Sequence, residues 1–252
     1  MHLNVISILL LFLAIPVAAG DLTGTEIVQR VNDVINQDQM RAIMTLTITT
    51  TTGQQRRFVY ESFSKDRGEK TLMRYLEPSR VRDQAILMTN NADDIWTYFP
   101  RTKRVRKLAT HAKKQKMEGS DFAYEDMGSG DSFLTDFVHR RLEDRQVNED
   151  DCFQVELTIK PDKESSYSRI VVCIDKSSYV ILAADYYDEN HPDIITKRLT
   201  VNRVETIQGI PTATEMTMRS LDDNTETSMS ITSVDYRVTL PDDLFTERGL
   251  RQ

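Results

Sequence analysis

Asp121, Glu125 and Asp126 fall close together in the run GSDFAYEDM. Paired carboxylates are what glycoside hydrolysis needs, one as acid and the other as nucleophile or base. Their spacing alone does not carry that assignment, because capping and ion pairing use the same residues far more often. The histidines are His2, His111, His139 and His191, and none sits in an HExxH arrangement. The chain has no GxSxG elbow, phosphate-binding glycine loop or dinucleotide fingerprint. The expectation from these motifs is no catalytic residue and no cofactor.

The cysteines offer a different chemistry. Cys152 lies in CFQVELTIK, where Phe153, Val155, Leu157 and Ile159 alternate as an inner face; Cys173 lies in SRIVVCIDK, where Ile170, Val172 and Ile174 do the same. Both cysteines then point outward. A turn within residues 161–164 sets Phe153 beside Val172 and Cys152 beside Cys173, and a bridge there contributes about 3 kcal/mol on the chain-entropy model. A small register shift leaves two free thiols instead. Neither cysteine has a second Cys or His at metal-ligand spacing, so no metal site is expected.

A disulfide suits an exported chain, and the N-terminus reads as an address. Val5 to Val17 form an apolar run, too short to span a bilayer and the right length for a signal-peptide core. Pro16 breaks it, and Val17-Ala18-Ala19 offers small residues for a cut after Ala19. The alternative is a retained N-terminal helix, since Lys and Arg are missing before the run. No cysteine follows directly, so no lipid anchor is expected there. Residues 1–19 are thus read as a leader and residues 20–252 as a single exported domain.

The elements of that domain are mainly strands. The chain holds 26 Thr, 9 Tyr and 9 Phe against 9 Gly and 7 Pro, a composition that suits pleated, half-buried surfaces. Thr23 and Glu26 form a capping box ahead of Ile27, Val28, Val31, Val34 and Ile35 on one helical face, ending near Gln37. Alternating segments follow at meander spacing. The fold class is mainly β (α+β), one antiparallel sheet of about eleven strands, long enough to curl. A helix packed into its concave side can leave a ligand cavity.

Charge segregates in the middle. Residues 101–118 hold eight Lys or Arg against Glu118, a net of +7, and residues 119–151 hold ten acids against three Arg, a net of −7. The basic run suits phospholipid headgroups, an acidic partner or plain solvent. Nucleic acid is disfavoured by the net charge of −7 and by export. Between the blocks, Asp131 precedes Ser132-Phe133-Leu134-Thr135-Asp136-Phe137-Val138, which reads as a short capped amphipathic helix. It is either a lid over the cavity or ordinary core.

Three groups of residues give the chain a family likeness. Asp94-Ile95-Trp96-Thr97-Tyr98-Phe99-Pro100, then Arg104-Val105-Arg106-Lys107-Leu108, then Gly119-Ser120-Asp121-Phe122 with Tyr124-Glu125-Asp126, resemble the outer-membrane lipoprotein-sorting (LolA-like) family. The branch they resemble is associated with RND/MMPL-type exporters. Ala184-Asp185-Tyr186-Tyr187-Asp188, Gly209-Ile210-Pro211-Thr212 and Leu240-Pro241-Asp242-Asp243-Leu244-Phe245 extend the resemblance over nearly all of residues 20–252. The cysteine pair departs from the family pattern.

The resemblance implies a LolA/LolB-like half-barrel with helices over the open side and an apolar pocket for lipid or lipoprotein acyl chains. The candidates for its lining are Met44, Met73, Trp96, Tyr98, Phe122 and Phe133, large apolar residues on faces able to look inward. For Trp96 and Tyr98 the opposite face is equally open, because Ile95, Thr97 and Phe99 offer an almost equally apolar alternative. Lys103, Arg104, Arg106 and Lys107 are the candidates for headgroup or partner contact. The implied partners are an inner-membrane RND/MMPL-type exporter or lipoprotein-releasing complex and an outer-membrane acceptor, with a monomer as the working form. The alternative function is an accessory subunit that docks on the exporter.

Overall fold

The computed structural model describes residues 22–147 and 150–252, so the proposed leader and its cleavage point lie outside the described residues. Helix α1 (Gly24–Ile35) begins with the expected capping box: the Thr23 hydroxyl accepts from the Glu26 amide, and the Glu26 carboxylate accepts from the Thr23 amide. It buries Ile27, Val28 and Val31 and leaves Ile35 exposed. Gly24 starts the helix where a Cβ would stand 2.9 Å from the Arg141 amide nitrogen, so only glycine allows this approach to the neighbouring strand backbone.

The first meander comprises β1 (Gln39–Thr49), β2 (Gln55–Lys65), β3 (Lys70–Glu77), β4 (Ala85–Thr89), β5 (Asp94–Phe99) and β6 (Arg104–Lys107). After an irregular stretch with the short helices α2 (Tyr124–Gly128) and α3 (Ser132–Thr135) comes β7 (Phe137–Arg141), then β8 (Arg145–Val147) and β9 (Asp150–Ile159). The chain finishes with β10 (Arg169–Asp175), β11 (Ile181–Tyr187), β12 (Lys197–Ile207), β13 (Ile210–Ser220) and β14 (Thr225–Asp235).

These strands form one open antiparallel sheet in the order β6-β5-β4-β3-β2-β1-β14-β13-β12-β11-β10-β9-β7, with β8 also on β9. The described residues hold fourteen strands against the expected eleven or so. Part of the difference is at Phe137 and Val138, expected in the amphipathic helix. They instead begin β7, where Phe137 pairs with Ile159 and Val138 with Thr158. Helix α3 is a single turn, and Asp131 does not cap it with its side chain; that carboxylate accepts from Asn91 Nδ2 at 3.1 Å.

Strand alternation sorts the side chains into two cores. Ala42, Met44, Leu46, Phe58, Tyr60, Val155 and Leu157 belong to the large core on the concave face, under α1 and the irregular stretch. A second core covers the convex side of the first meander, where Phe63, Leu72 and Leu87 pack beneath Leu240, Phe245 and Leu250 of the C-terminal segment. The first meander is therefore buried on both faces.

Cys152 and Cys173 are disulfide-bonded, with Cα atoms 5.5 Å apart. The register is not the expected one: Cys152 lies opposite Asp175 and Cys173 opposite Gln154, so the bridge runs diagonally. The loop between β9 and β10 carries Tyr167 into the concave core, 4.6 Å from the Tyr186 ring, and this lengthens the connection. A two-residue shift preserves which face each side chain occupies, so the inner set is unchanged. Replacing both cysteines by serine should lower stability by about 3 kcal/mol in urea unfolding; unchanged stability would contradict a structural role for the bridge.

Candidate functional site

The sheet order dictates where a site can lie. Strand β6 is at one edge and β7 at the other, yet they are consecutive in sequence. Residues 108–136 must therefore cross between the edges, and they do so over the concave face as a strap. Its start follows β6, with the Leu108 amide donating to the Ile95 carbonyl at 2.8 Å.

The GSDF segment shows how the strap is fixed. Gly119 takes φ +71° at the tip of a small loop closed by the Met117 amide on the Phe122 carbonyl at 2.9 Å. The Ser120 hydroxyl folds back and bonds the Phe122 backbone. Asp121 is buried and pinned to β14: its oxygens accept from Thr225 Oγ1 at 2.5 Å and Thr227 Oγ1 at 2.7 Å. Phe122 then enters the concave core beside Met117 and Ala112.

The Tyr-Glu-Asp segment makes a second attachment. Glu125 accepts from Ser165 Oγ at 2.9 Å and from the Ser166 amide at 2.8 Å. Asp126 accepts from the Ala123 amide at 2.6 Å and from Tyr167 Oη at 2.9 Å, and Lys197 Nζ donates to the same phenol oxygen at 3.3 Å. Burial of the Asp126 carboxyl between strap and sheet, with repulsion from Glu125, outweighs the pull of Lys197 and the hydrogen bonds, and pushes its pKa up to about 6. Burial likewise raises the Tyr167 phenol. Gly128 sits so close to β4 that a Cβ would meet Met88 Sδ at 2.9 Å. The three acids singled out for hydrolysis are thus all engaged in holding the strap.

Four of the six lining candidates come together on the concave face. Met44, Met73 and Phe122 are in its core, and Phe133 packs against that core with its ring 6.1 Å from Phe137. Trp96 and Tyr98 do not join them. They pack with Val105 in the convex core, while Ile95 of the same strand turns inward. The C-terminal segment takes the aromatic face because it supplies Leu240, Phe245 and Leu250 as cover.

A cavity lies under the strap. The cavity bordered by Asp126, Phe133, Phe137, Tyr167 and Ile170 measures about 30 Å³, enough for one water, whereas ligand pockets run to ~300–1,000 Å³. Among the described residues, the apolar concave face has the strap, a separate stretch of chain, as its cover.

The basic run divides between the faces. Arg104 and Arg106 lie on the concave side of β6, opposite Phe99 and Thr97. Lys107 lies on the convex side, over the Trp96 ring and 2.5 Å from Asp94, whose carboxyl it holds below the usual range. Lys103 takes a left-handed turn conformation, and its carbonyl accepts from Arg251 at 2.9 Å. The strap's anchor points Thr225, Thr227, Ser165, Ser166 and Tyr167 were not legible in advance, because they lie on distant strands and a loop with no motif.

A family model described as "-like: Uncharacterized protein" matches residues 67–252. Similar solved structures include a DUF1329 family protein from Desulfovibrio piger, at 26% identity and TM-score 0.82 over 90% of this chain and 97% of that one. An outer membrane lipoprotein-sorting protein domain from Vibrio parahaemolyticus is 25% identical, with TM-score 0.82 over 91% of this chain and 98% of that one. A LolA superfamily protein from Nitrosomonas europaea shares the fold at 21% identity and TM-score 0.75, over 90% and 98% of the two chains. No curated protein matches the chain in sequence.

A carboxyl whose folded pKa is raised stabilises the fold most when protonated, and that contribution is lost as pH climbs through the raised value. Between pH 4 and 7 the native protein should lose on the order of 2 kcal/mol more stability than Asp126→Asn. Urea unfolding across that range checks this; parallel pH profiles would contradict the buried attachment.

Proposed function

We propose a carrier role for this chain, which belongs to the family whose model spans residues 67–252 and to the LolA-like, outer-membrane lipoprotein-sorting group. The proposed cargo is a lipid or lipoprotein acyl chain, bound without catalysis and passed between membrane partners. The observation that carries this reading is the apolar concave face covered by a separate stretch of chain, a strap attached to the sheet and its loops by side-chain bonds such as those of Asp121, Glu125 and Asp126. Such a cover can be displaced while the sheet stays intact.

The energetics suit transfer. Burying an acyl CH₂ is worth about 0.8 kcal/mol, so a 16-carbon chain gains roughly 12 kcal/mol gross. It loses a similar amount on leaving a bilayer, so a protein that merely matches the membrane can take a chain up and release it. The cargo replaces the strap's side chains, Phe122 foremost, against Met44 and Met73, and methionine adapts to chains of differing shape. The bonds of Asp121 to Thr225 and Thr227 then guide the strap back after release.

In this reading the leader is removed near Ala19 and residues 20–252 work as a monomeric periplasmic domain. An RND/MMPL-type exporter or lipoprotein-releasing complex supplies cargo, and an outer-membrane acceptor receives it. Docking on an exporter as the sole function has weaker support. It relied on Lys103, Arg104, Arg106 and Lys107 acting together, yet Lys107 is paired with Asp94 on the opposite side of β6 from Arg104 and Arg106.

Phe122→Ala tests the displacement directly. Delipidated protein should bind a fluorescent fatty acid, and the variant should bind it about tenfold to a hundredfold more tightly, because less burial is given up on opening. Failure of both proteins to take up the probe would contradict the carrier reading.

A further inference from the structure

A second feature stands at the mouth of the concave face. The β3–β4 connection and the β5–β6 hairpin meet there around an open cleft of about 310 Å³, lined by Arg80, Val81, Gln84, residues 99–102, Arg104 and Arg106. Four of these side chains are arginines, counting Arg101, and all four are exposed. Elsewhere arginine is paired across the sheet: Arg57 with Glu77, Arg140 with Glu156, Arg198 with Asp185 and Arg219 with Glu226. Among the described residues, no carboxylate lies within salt-bridge distance of the four in the cleft. Glu118 stands behind the wall, accepting from Gln84 Nε2 at 3.3 Å; burial raises its pKa against the pull of Arg80 and Arg56.

Two of the guanidinium groups are steadied by rings. Arg80 lies over Phe58 at 5.3 Å and Arg106 over Phe99 at 5.8 Å. Phe58 and Val81 are also members of the concave core, so the cleft and the apolar interior share a wall. An amphiphile can therefore place its polar end among the arginines and its chain under the strap. Just behind this wall the Tyr75 hydroxyl is buried without a hydrogen-bond partner, and its backbone amide bonds the Gln84 carbonyl at 2.9 Å.

We infer that this arginine cleft binds a phosphate-class anion, the headgroup of the cargo lipid. The inference rests on the carrier reading and narrows it. Several planar guanidinium forks match the oxygens of one phosphate, which carries enough charge to offset their mutual repulsion. The acylated cysteine of a lipoprotein has no such group, so a phosphate-bearing lipid is favoured over an acylated protein. Free phosphate shares the chemistry, and the test separates the two.

The experiment uses delipidated full-length mature protein and two fluorescent lipids with identical acyl chains, phosphatidic acid and uncharged diacylglycerol. Inorganic phosphate is titrated separately by calorimetry. The expected result is a preference of about tenfold or more for phosphatidic acid. In the variant carrying Arg80→Gln, Arg104→Gln and Arg106→Gln, with unchanged thermal unfolding, that ratio should fall to near one. Equal binding of both lipids by the native protein overturns the inference and leaves the carrier reading standing. Binding of inorganic phosphate without either lipid, lost in the variant, upholds the anion site, assigns it to free phosphate and overturns the carrier reading. No binding of any probe overturns both.

Discussion

The pairing of β1 with β14 is the constraint on which the rest depends. It places the beginning and end of the strand series side by side at the centre of the sheet, with Leu46 facing Met229 and Thr45 facing Ser230. Each meander then grows outward, and the chain between them must travel from one edge to the other. An open curled sheet with an apolar concave side cannot leave that side in water. The crossing segment is the nearest cover, and Ala112, Met117 and Phe122 fill the space accordingly. The strap is thus a consequence of topology.

The two halves of the sheet solve burial differently. The first meander has a second core on its convex side, closed by the C-terminal segment, with Arg74 donating to the Gly249 carbonyl and Lys65 to the Leu240 carbonyl. That half is a firm, doubly covered wall. The other half presents paired charges on its convex face, such as Arg198 with Asp185, and relies on its inner residues alone. The strap's polar attachments reach both halves: Asp121 bonds Thr225 and Thr227, Glu125 and Asp126 bond Ser165, Ser166 and Tyr167, while Lys113 pairs with Asp93, Glu118 accepts from Gln84 and Asp131 from Asn91. The carrier reading requires this cover, which is a separate stretch of chain, to move against the doubly covered wall of the first meander.

Much of this was written in local pattern. The capping box of α1, the inner sets Phe153–Ile159 and Ile170–Ile174, and the alternation of β1 follow from periodicities of 3.6 and 2 that any reader can count. The choice of face for β5 could not be made that way. Trp96 and Tyr98 compete with Ile95 and Thr97, and a segment some 140 residues later decides between them. The register of β9 and β10 failed for a related reason: Tyr167 lengthens the loop by packing into the core, a long-range event. The meaning of GSDF was legible as likeness, while its physical content, a carboxylate tied to two threonines of β14, needed the fold.

The central claim is that an acyl chain can replace the strap on the concave face. Native mass spectrometry of the mature protein, purified from its own periplasm without detergent and followed by organic extraction, tests it most directly. A discrete bound mass that extracts as an acylated molecule is the predicted result. A clean ligand-free mass, with no acylated molecule in the extract, would contradict the account.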